Sequence, residues 1–300
     1  MVKVFSPGTI GNVGPGFDVL GLAIAGLGDT ITMEESDETR IEIHGRDANL
    51  LPTDPQENTV SIAAKALFDH FGKSIDLNIR IDRDLPCSGG LGASASSSVA
   101  GALGAAALIG NQDDRTAIIE AALVAEAYVA GRHLDNIAPC LYGGLTIVQS
   151  VDPARIHQVP MNCDLFAMLI TPAIKIKTKD SRAVLPESLK QGDWIQQMAN
   201  TATLVNGFSL GNSAMIASGL EDHYGEKFRS KLIPHFDQAK ALALDSGALG
   251  YSISGAGPTC FALFESHEKA TACQKQMESL YNGECSSHVG ELSREGARVI

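Results

Sequence analysis

Apolar and polar residues alternate from Ile75 to Asp82, the two-residue period of a half-buried β-strand. A stretch rich in glycine and serine, Pro86–Ser98, follows, and the apolar run Val99–Ile109 after it has the length of a helix. The pattern therefore predicts the local order strand, glycine loop, helix.

The same periodicities predict the other elements. Asn58 and Asp114 stand where N-cap residues begin two helices, and Gly131 ends the second of them. The predicted helices are 60–71, 115–130, 188–205, 212–219, 235–246 and 267–281, and the predicted strands or strand-like segments are 2–5, 19–25, 30–33, 40–43, 145–149, 165–171, 174–178, 251–254, 260–264 and a short one at the C-terminus.

The segment from Ser6 to Asp18 contains four glycines and two prolines, so it is predicted to be irregular. Asn12 and Asp18 lie in it between two apolar segments. They can be functional polar groups, or they can make the local turn bonds of a wide hairpin connection. The residues alone leave both interpretations open.

The glycine loop has features of a phosphate site. Glycines let a backbone approach a ligand closely, and a helix that begins directly after them presents unpaired N–H groups to an anion. The sequence of the loop matches neither the P-loop pattern G-x-x-x-x-G-K-[ST] nor the dinucleotide-binding pattern G-x-G-x-x-G. Because the loop has no lysine, phosphate charge must be met by backbone N–H groups, a metal and side chains from elsewhere.

Two further groups of polar residues interrupt apolar sequence. Glu126 lies in an alanine-rich helix and either faces solvent, the commoner case, or is held by a cation. The segment 132–136 places four polar or charged side chains within five positions and is interpreted as part of a site. A third segment, Ser254–Thr259, is either a plain glycine turn between two strands or part of a site, and the residues alone favour neither.

Composition narrows the class of protein. The chain has 300 residues, 44% hydrophobic and 19% charged, which suits a globular protein of one large or two modest domains. A polar stretch at 150–155 predicts a boundary between domains 1–155 and 156–300. The net charge of −12 argues against nucleic acid and acidic membranes as partners.

Cysteine usage and the terminal sequence predict the compartment. The six cysteines form no C-x-x-C pair, so neither a zinc site nor a disulfide framework is indicated. The N-terminus has no apolar signal region, and no apolar run reaches the roughly 18 residues of a membrane span. We expect reduced thiols in a cytoplasmic protein.

Three motifs in this order resemble those of the GHMP small-molecule kinases: Asn12–Asp18, Pro86–Ala95 and Ser254–Thr259. Among those kinases, the segments 12–21, 133–139 and 182–186, and Arg229 ahead of 232–234, resemble the members that phosphorylate L-homoserine. The resemblance covers nearly the whole chain. It implies a two-domain α/β and α+β architecture, with an N-terminal domain like ribosomal protein S5, a C-terminal ferredoxin-like domain, and the active site between them.

The resemblance also implies ATP and Mg²⁺ as cofactors. Ser94 and Glu126 would bind Mg²⁺, which takes oxygen ligands and keeps several waters. Two positions depart from the family pattern: Ala93 replaces the first serine of a usual pair, and Ser6–Gly11 differs from the usual first motif. The ATP-binding residues would be Pro86, Ser88, Gly89, Gly90, Leu91, Gly92, Ala93, Ser94, Ala95, Ser96, Ser97 and Ser98.

For the acceptor, the resemblance implies transfer of the γ-phosphoryl group to the side-chain hydroxyl of L-homoserine, on the way to threonine. Arg182 and Arg229 would bind the carboxylate. Asp135, with His133 as a second candidate, would receive the ammonium group. Asn12 and Asp18 would lie near the hydroxyl, and the backbones of Gly255 and Gly257 against the substrate.

Catalysis is expected to depend on positioning, because a loose phosphoryl-transfer transition state does not require a strong base. The residues assigned to it are Asn12, Asp18, Asp135 and Arg182, with Asp18 as the candidate base. The alternatives are another small alcohol such as mevalonate or shikimate, and a sensor that retains the fold without catalysis. The resemblance also allows for a homodimer.

Overall fold

The computed structural model describes residues 1–300 as eleven strands and ten α-helices. The strands are β1 (Val2–Gly11), β2 (Leu20–Ser36), β3 (Arg40–Gly45), β4 (Asp76–Arg83), β5 (Leu145–Val151), β6 (Ala154–Val159), β7 (Phe166–Pro172), β8 (Gly250–Ile253), β9 (Cys260–Phe264), β10 (Cys285–Glu291) and β11 (Arg298–Val299). The helices are α1 (Thr59–His70), α2 (Ala93–Leu108), α3 (Arg115–Val129), α4 (Ile137–Tyr142), α5 (Thr178–Ala183), α6 (Gln191–Leu210), α7 (Ser213–Gly219), α8 (Gly225–Arg229), α9 (Phe236–Asp245) and α10 (His267–Leu280). None of the helices has the length and apolar content that a membrane span needs.

The larger sheet has seven strands and carries the phosphate-loop candidate. Its path is β11-β1-β2-β4-β3, and β5 joins β2 to β6. Helices α1, α2 and α3 pack together, and their apolar positions share one core of 33 buried residues with strands of this sheet. The predicted caps are confirmed: Asn58 accepts from the backbone N–H of Val60, and Asp114 from that of Ala117.

The smaller sheet has four antiparallel strands in the order β10-β7-β9-β8. Strands β8 and β9 follow each other directly, whereas helices separate β7 from β8 and β9 from β10. This β-α-β-β-α-β arrangement is ferredoxin-like. The two sheets with these helices confirm the expected fold class.

The prediction that residues from Ser6 onward are irregular was wrong. Strand β1 continues through Pro7 to Gly11, with a register shift between Pro7 and Thr9, and it pairs with a single long strand β2. Pairing across the sheet outweighs the local turn preference of proline and glycine. Only the connection between β1 and β2 remains irregular.

Two predictions for the second half of the chain were also wrong, one for the segment 174–178 and one for the C-terminus. The alternating segment 174–178 forms no strand, and its end begins the short helix α5. The chain also ends with two strands instead of one, because β10 precedes β11. The predicted boundary near residue 155 falls close to the β5–β6 turn, and β6 still pairs within the larger sheet.

Helix α2 approaches α1 closely at Gly101. A Cβ at this position would overlap the carbonyl oxygen of Val60 in α1. In contrast, Gly192 in the first turn of α6 has nothing within 4 Å of the equivalent position. The orientation of α2, and of the loop before it, therefore depends on a glycine at position 101.

We expect Gly101→Ala to lower the free energy of unfolding by about 2 kcal/mol or more, because two helix backbones must separate. The matched variant Gly192→Ala should be neutral or more stable by up to about 1 kcal/mol, since alanine favours helix. Urea unfolding followed by circular dichroism measures both. Equal stability of the two variants would contradict the close approach.

Candidate active site

A cleft of about 690 Å³ lies between the two sheets. Its lining includes residues of the glycine loop, of α3, of the 133–136 segment and of the 255–257 turn. Segments far apart in the chain that the sequence singles out therefore lie together around one cavity.

The glycine loop bends sharply before α2. Gly90 and Gly92 have φ angles of 85° and 64°, in the left-handed region that favours glycine. A Cβ at Gly90 would also lie 3.0 Å from the carbonyl oxygen of Gly257. No side chain caps the first turn of α2, so its N-terminus is open towards the cleft.

The loop residues divide into two sets. Ser88, Gly89, Gly90, Gly92, Ala93, Ser94 and Ser97 line the cleft. The other five do not: Pro86, Leu91, Ala95, Ser96 and Ser98 are buried behind it. Ser96, for example, donates its hydroxyl to the carbonyl of Ser6. The resemblance assigned all five to the ligand. Three of them, Ala95, Ser96 and Ser98, belong to α2, which begins at Ala93 and not at Val99 as predicted.

Glu126 is buried, not solvent-facing, with 6% of its surface exposed. Its Oε1 accepts a 2.8 Å hydrogen bond from Ser94 Oγ, and its Oε2 is buried without a partner. Burial raises the pKa of this carboxyl to about 7. An unpaired carboxylate oxygen beside a serine hydroxyl fits a hard cation. With only these two ligands, Mg²⁺ would need phosphate and water oxygens as well.

Asp18 and Arg182 form a bidentate ion pair across the cleft. Arg182 Nη2 donates to Asp18 Oδ1 at 2.7 Å, and Nη1 donates to Oδ2 at 3.1 Å. His133 Nδ1 lies 3.8 Å from Asp18 Oδ2. Burial lowers the pKa of His133, although the neighbouring Asp18 acts in the opposite direction. The ring therefore tends to be neutral at neutral pH.

Arg229 and Asn12 meet at one carbonyl. The oxygen of Gly255 accepts from Asn12 Nδ2 at 2.8 Å and from Arg229 Nη1 at 3.0 Å. Arg229 is buried, and its Nε donates to the carbonyl of Ser181. Both arginine side chains lie over the ring of Phe17, at 5.4 Å for Arg182 and 5.0 Å for Arg229.

Asp135 lies at the bottom of this region and is 4% exposed. Burial raises its pKa to about 7, and the nearby charge of Asp18 adds to that rise. Gly11 and Gly21 leave the space that it occupies, because a Cβ at either position would overlap Asp135. Two buried carboxyl groups, Glu126 and Asp135, thus share the cleft with two arginines.

Two cationic residues of the cleft were missed by sequence reasoning. Arg83 ends β4 just before the glycine loop, lines the cleft and donates to Ser97 Oγ at 3.3 Å. Lys175 also lines the cleft, from the segment that was predicted to be a strand. Arg83 could have been recognised as a site residue, because it ends the alternating strand directly before the glycine loop. Lys175 could not, because nothing distinguishes one lysine in an alternating segment.

The chain matches two family models, described as the N-terminal domain of GHMP kinases over residues 58–144 and the C-terminal domain over 207–283. It is 37% identical over 294 residues to a homoserine kinase from Pyrococcus furiosus, covering 98% of each chain. The chain belongs to the homoserine kinase family of GHMP kinases. It is also 34% identical to a homoserine kinase from Chloroherpeton thalassium, over 100% of this chain and 99% of the relative.

Solved structures agree with this membership. A homoserine kinase from Cytophaga hutchinsonii superimposes with a TM-score of 0.93 at 37% identity, covering 100% of this chain and 97% of that one. A mevalonate kinase from L. major gives a TM-score of 0.75 at 15% identity, covering 97% and 96%. The second likeness concerns the fold alone. As a member of the homoserine kinase family, the chain is a kinase.

We expect Glu126→Gln to stabilise the ligand-free protein at pH 8 but not at pH 5. A carboxyl with a raised pKa binds more protons in the folded state, so stability falls as pH rises from about 4.5 to about 7. Glutamine removes this loss, on the order of 2–3 kcal/mol at pH 8. Urea unfolding in EDTA at both pH values measures it.

The matched control is Glu120→Gln, because Glu120 is exposed on the same helix. It should keep the wild-type loss of stability between pH 5 and pH 8. If Glu126→Gln lost as much stability as wild type over that range, the carboxyl would not be protonated in the ligand-free fold.

Proposed function

We propose that the protein transfers the γ-phosphoryl group of ATP to the side-chain hydroxyl of L-homoserine, giving O-phospho-L-homoserine. One observation carries the choice of acceptor: two guanidinium groups, of Arg182 and Arg229, lie with the buried carboxyl of Asp135 at one end of the cleft. Such a set suits a small zwitterion, since the arginines match a carboxylate and the aspartate an ammonium group.

The other end of the cleft suits a nucleotide triphosphate. Residues of the glycine loop and of the uncapped first turn of α2 line it, and such backbones can offer N–H groups to phosphate. Lys175 supplies a positive side chain that the loop lacks, whereas the charge of Arg83 is already matched by the buried carboxylate of Asp29, 3.6 Å away. Ser94 and Glu126 would hold Mg²⁺, which neutralises charge on the phosphates when bound. ATP as the donor follows from the family, and Mg²⁺ remains part of this proposal.

The Asp18–Arg182 pair affects how the acceptor would be activated. Its two hydrogen bonds occupy both carboxylate oxygens of Asp18. Such a carboxylate is a poor proton acceptor, so we assign Asp18 to orienting Arg182 and the hydroxyl. Catalysis then rests on alignment and charge neutralisation, which a loose transition state permits.

Arg229 is assigned to the acceptor carboxylate. Its Nη1 and Nε are bonded to the carbonyls of Gly255 and Ser181, which fixes the direction of the guanidinium plane. Asn12 fixes Asp18 in turn, because the backbone N–H of Asp18 donates to Asn12 Oδ1 at 2.9 Å. These bonds prepare the acceptor site before a substrate enters.

The first test offers the purified protein ATP, Mg²⁺ and one alcohol at a time: L-homoserine, R-mevalonate or shikimate. We expect kcat/KM for L-homoserine to exceed that for the other two by at least about a hundredfold, because only it carries both charged groups. Coupled ADP release and phosphorus NMR of the product measure it. Comparable turnover of mevalonate would refute the acceptor assignment, and binding without ADP release would favour a sensor.

We expect Arg229→Leu to raise the KM for L-homoserine by about tenfold to a hundredfold, since a charged hydrogen bond is worth about 1.5–3 kcal/mol. The KM for ATP should change little. Lys231→Leu is the matched control, because Lys231 is exposed two residues further on. A normal KM for L-homoserine in the Arg229 variant would remove Arg229 from the acceptor site.

A further inference from the structure

Two segments that carry the acceptor-site residues meet a single side chain of α6. One segment is the β1–β2 connection, which contains Phe17 and Asp18. The other is the segment 222–229, which includes α8 and ends at Arg229. Gln197 lies between them and is 9% exposed. It lines no part of the cleft itself.

The amide of Gln197 contacts both segments. Its Nε2 donates to the carbonyl of Pro15 at 2.8 Å and to Asp222 Oδ1 at 2.8 Å. Its Oε1 accepts from the backbone N–H of His223 at 2.7 Å. Both N–H bonds and one acceptor position of the side chain are thus used in bonds to the two segments.

Asp222 extends the connection into α8. Its carboxylate accepts from the backbone N–H groups of Tyr224 at 2.8 Å, Gly225 at 3.0 Å and Glu226 at 2.7 Å. Arg229 ends this helix of five residues. A displacement of Gln197 would therefore shift Arg229 through the carboxylate of Asp222 and about one turn of α8.

The two segments also contact each other directly, through the aromatic ring of Phe17. Phe17 lies two residues after Pro15, and Tyr224 packs edge-on against it at 4.9 Å between ring centroids. The guanidinium of Arg229 lies over the ring of Phe17, 5.0 Å from its centroid. The two segments are thus connected both by the hydrogen bonds of Gln197 and by the contacts of Phe17 with Tyr224 and Arg229.

We propose that Gln197 is a positioning residue that sets the distance between Asp18 and Arg229, and thereby the affinity for the acceptor. This inference rests on the proposed function for the identity of the acceptor. The bonds themselves are independent of it. Gln197 contacts no substrate and acts through Pro15 and Asp222.

The test compares Gln197→Met with two variants of the same helix. Methionine keeps the length of the side chain and removes all three hydrogen bonds. Thr201→Val removes the hydroxyl that also donates to the carbonyl of Pro15 at 3.2 Å, and leaves Asp222 untouched. Gln191→Met is the control, because Gln191 is exposed in the first turn.

We expect Gln197→Met to raise the KM for L-homoserine by about tenfold while the KM for ATP and kcat stay within about threefold of wild type. Thr201→Val should raise it less, and Gln191→Met not at all. A purely structural role would change both KM values together or only the unfolding midpoint. An unchanged KM for L-homoserine, or an equal rise for ATP, would overturn the proposal.

Hydrogen–deuterium exchange of the ligand-free proteins gives a readout that needs no substrate. In Gln197→Met, amides of residues 16–20 and of 223–229 should both exchange faster, whereas in Thr201→Val only the first group should. If wild type fails to phosphorylate L-homoserine, the proposed function fails and this readout still decides the role of Gln197. Faster exchange in only one of the two groups would then overturn it.

Discussion

The contact between the glycine loop and the 254–259 turn is the constraint on which the cleft depends. Ser254 Oγ donates to the carbonyl of Gly90 at 2.6 Å, and the backbone N–H of Thr259 donates to that of Gly89 at 3.1 Å. These bonds join the phosphate-loop candidate of the first domain to a turn of the second. A side chain at Gly90 would separate them, because its Cβ would lie 2.5 Å from the carbonyl of Ser254. Gly90 is therefore needed for the contact between the two domains, whether or not the loop binds a ligand.

Elements with a strong local signal could be predicted from the sequence. Asn58 and Asp114 cap the helices they were expected to cap, and the order of strand, loop and helix around Gly90 is confirmed. Strand β1 could not be predicted beyond Phe5, because its pairing with β2 overrides the turn preference of Pro7 and Gly8. The segment 174–178 failed for the opposite reason, since its alternation has no neighbouring strand to pair with.

The sequence singles out many of the residues that line the candidate site, but not the interactions among them. Glu126 gave no sign of burial, because its environment arises from how α3 packs beside α2. The Asp18–Arg182 pair joins residues 164 positions apart, and only the folded chain brings them together. Gln197 was not noticed at all, since an uncharged residue inside a helix of 20 residues has no pattern that distinguishes it.

The charges of the cleft explain how an acidic protein can bind an anionic nucleotide. The chain has a net charge of −12, whereas four basic residues line the cleft: Arg83, which lies 3.6 Å from Asp29, Arg182, which is paired with Asp18, and also Lys175 and Arg229. Burial raises the pKa of both Glu126 and Asp135 to about 7, so each carboxyl carries only part of its charge near neutral pH. Asp18 is paired with Arg182, so the charges of these two side chains offset each other. The ligand-free cleft therefore carries less negative charge than Asp18, Glu126 and Asp135 would give if all three were ionised and unpaired. In the function we propose, a cation at Glu126 and an ammonium group at Asp135 would each favour the ionised carboxyl, so binding at these two positions would release protons.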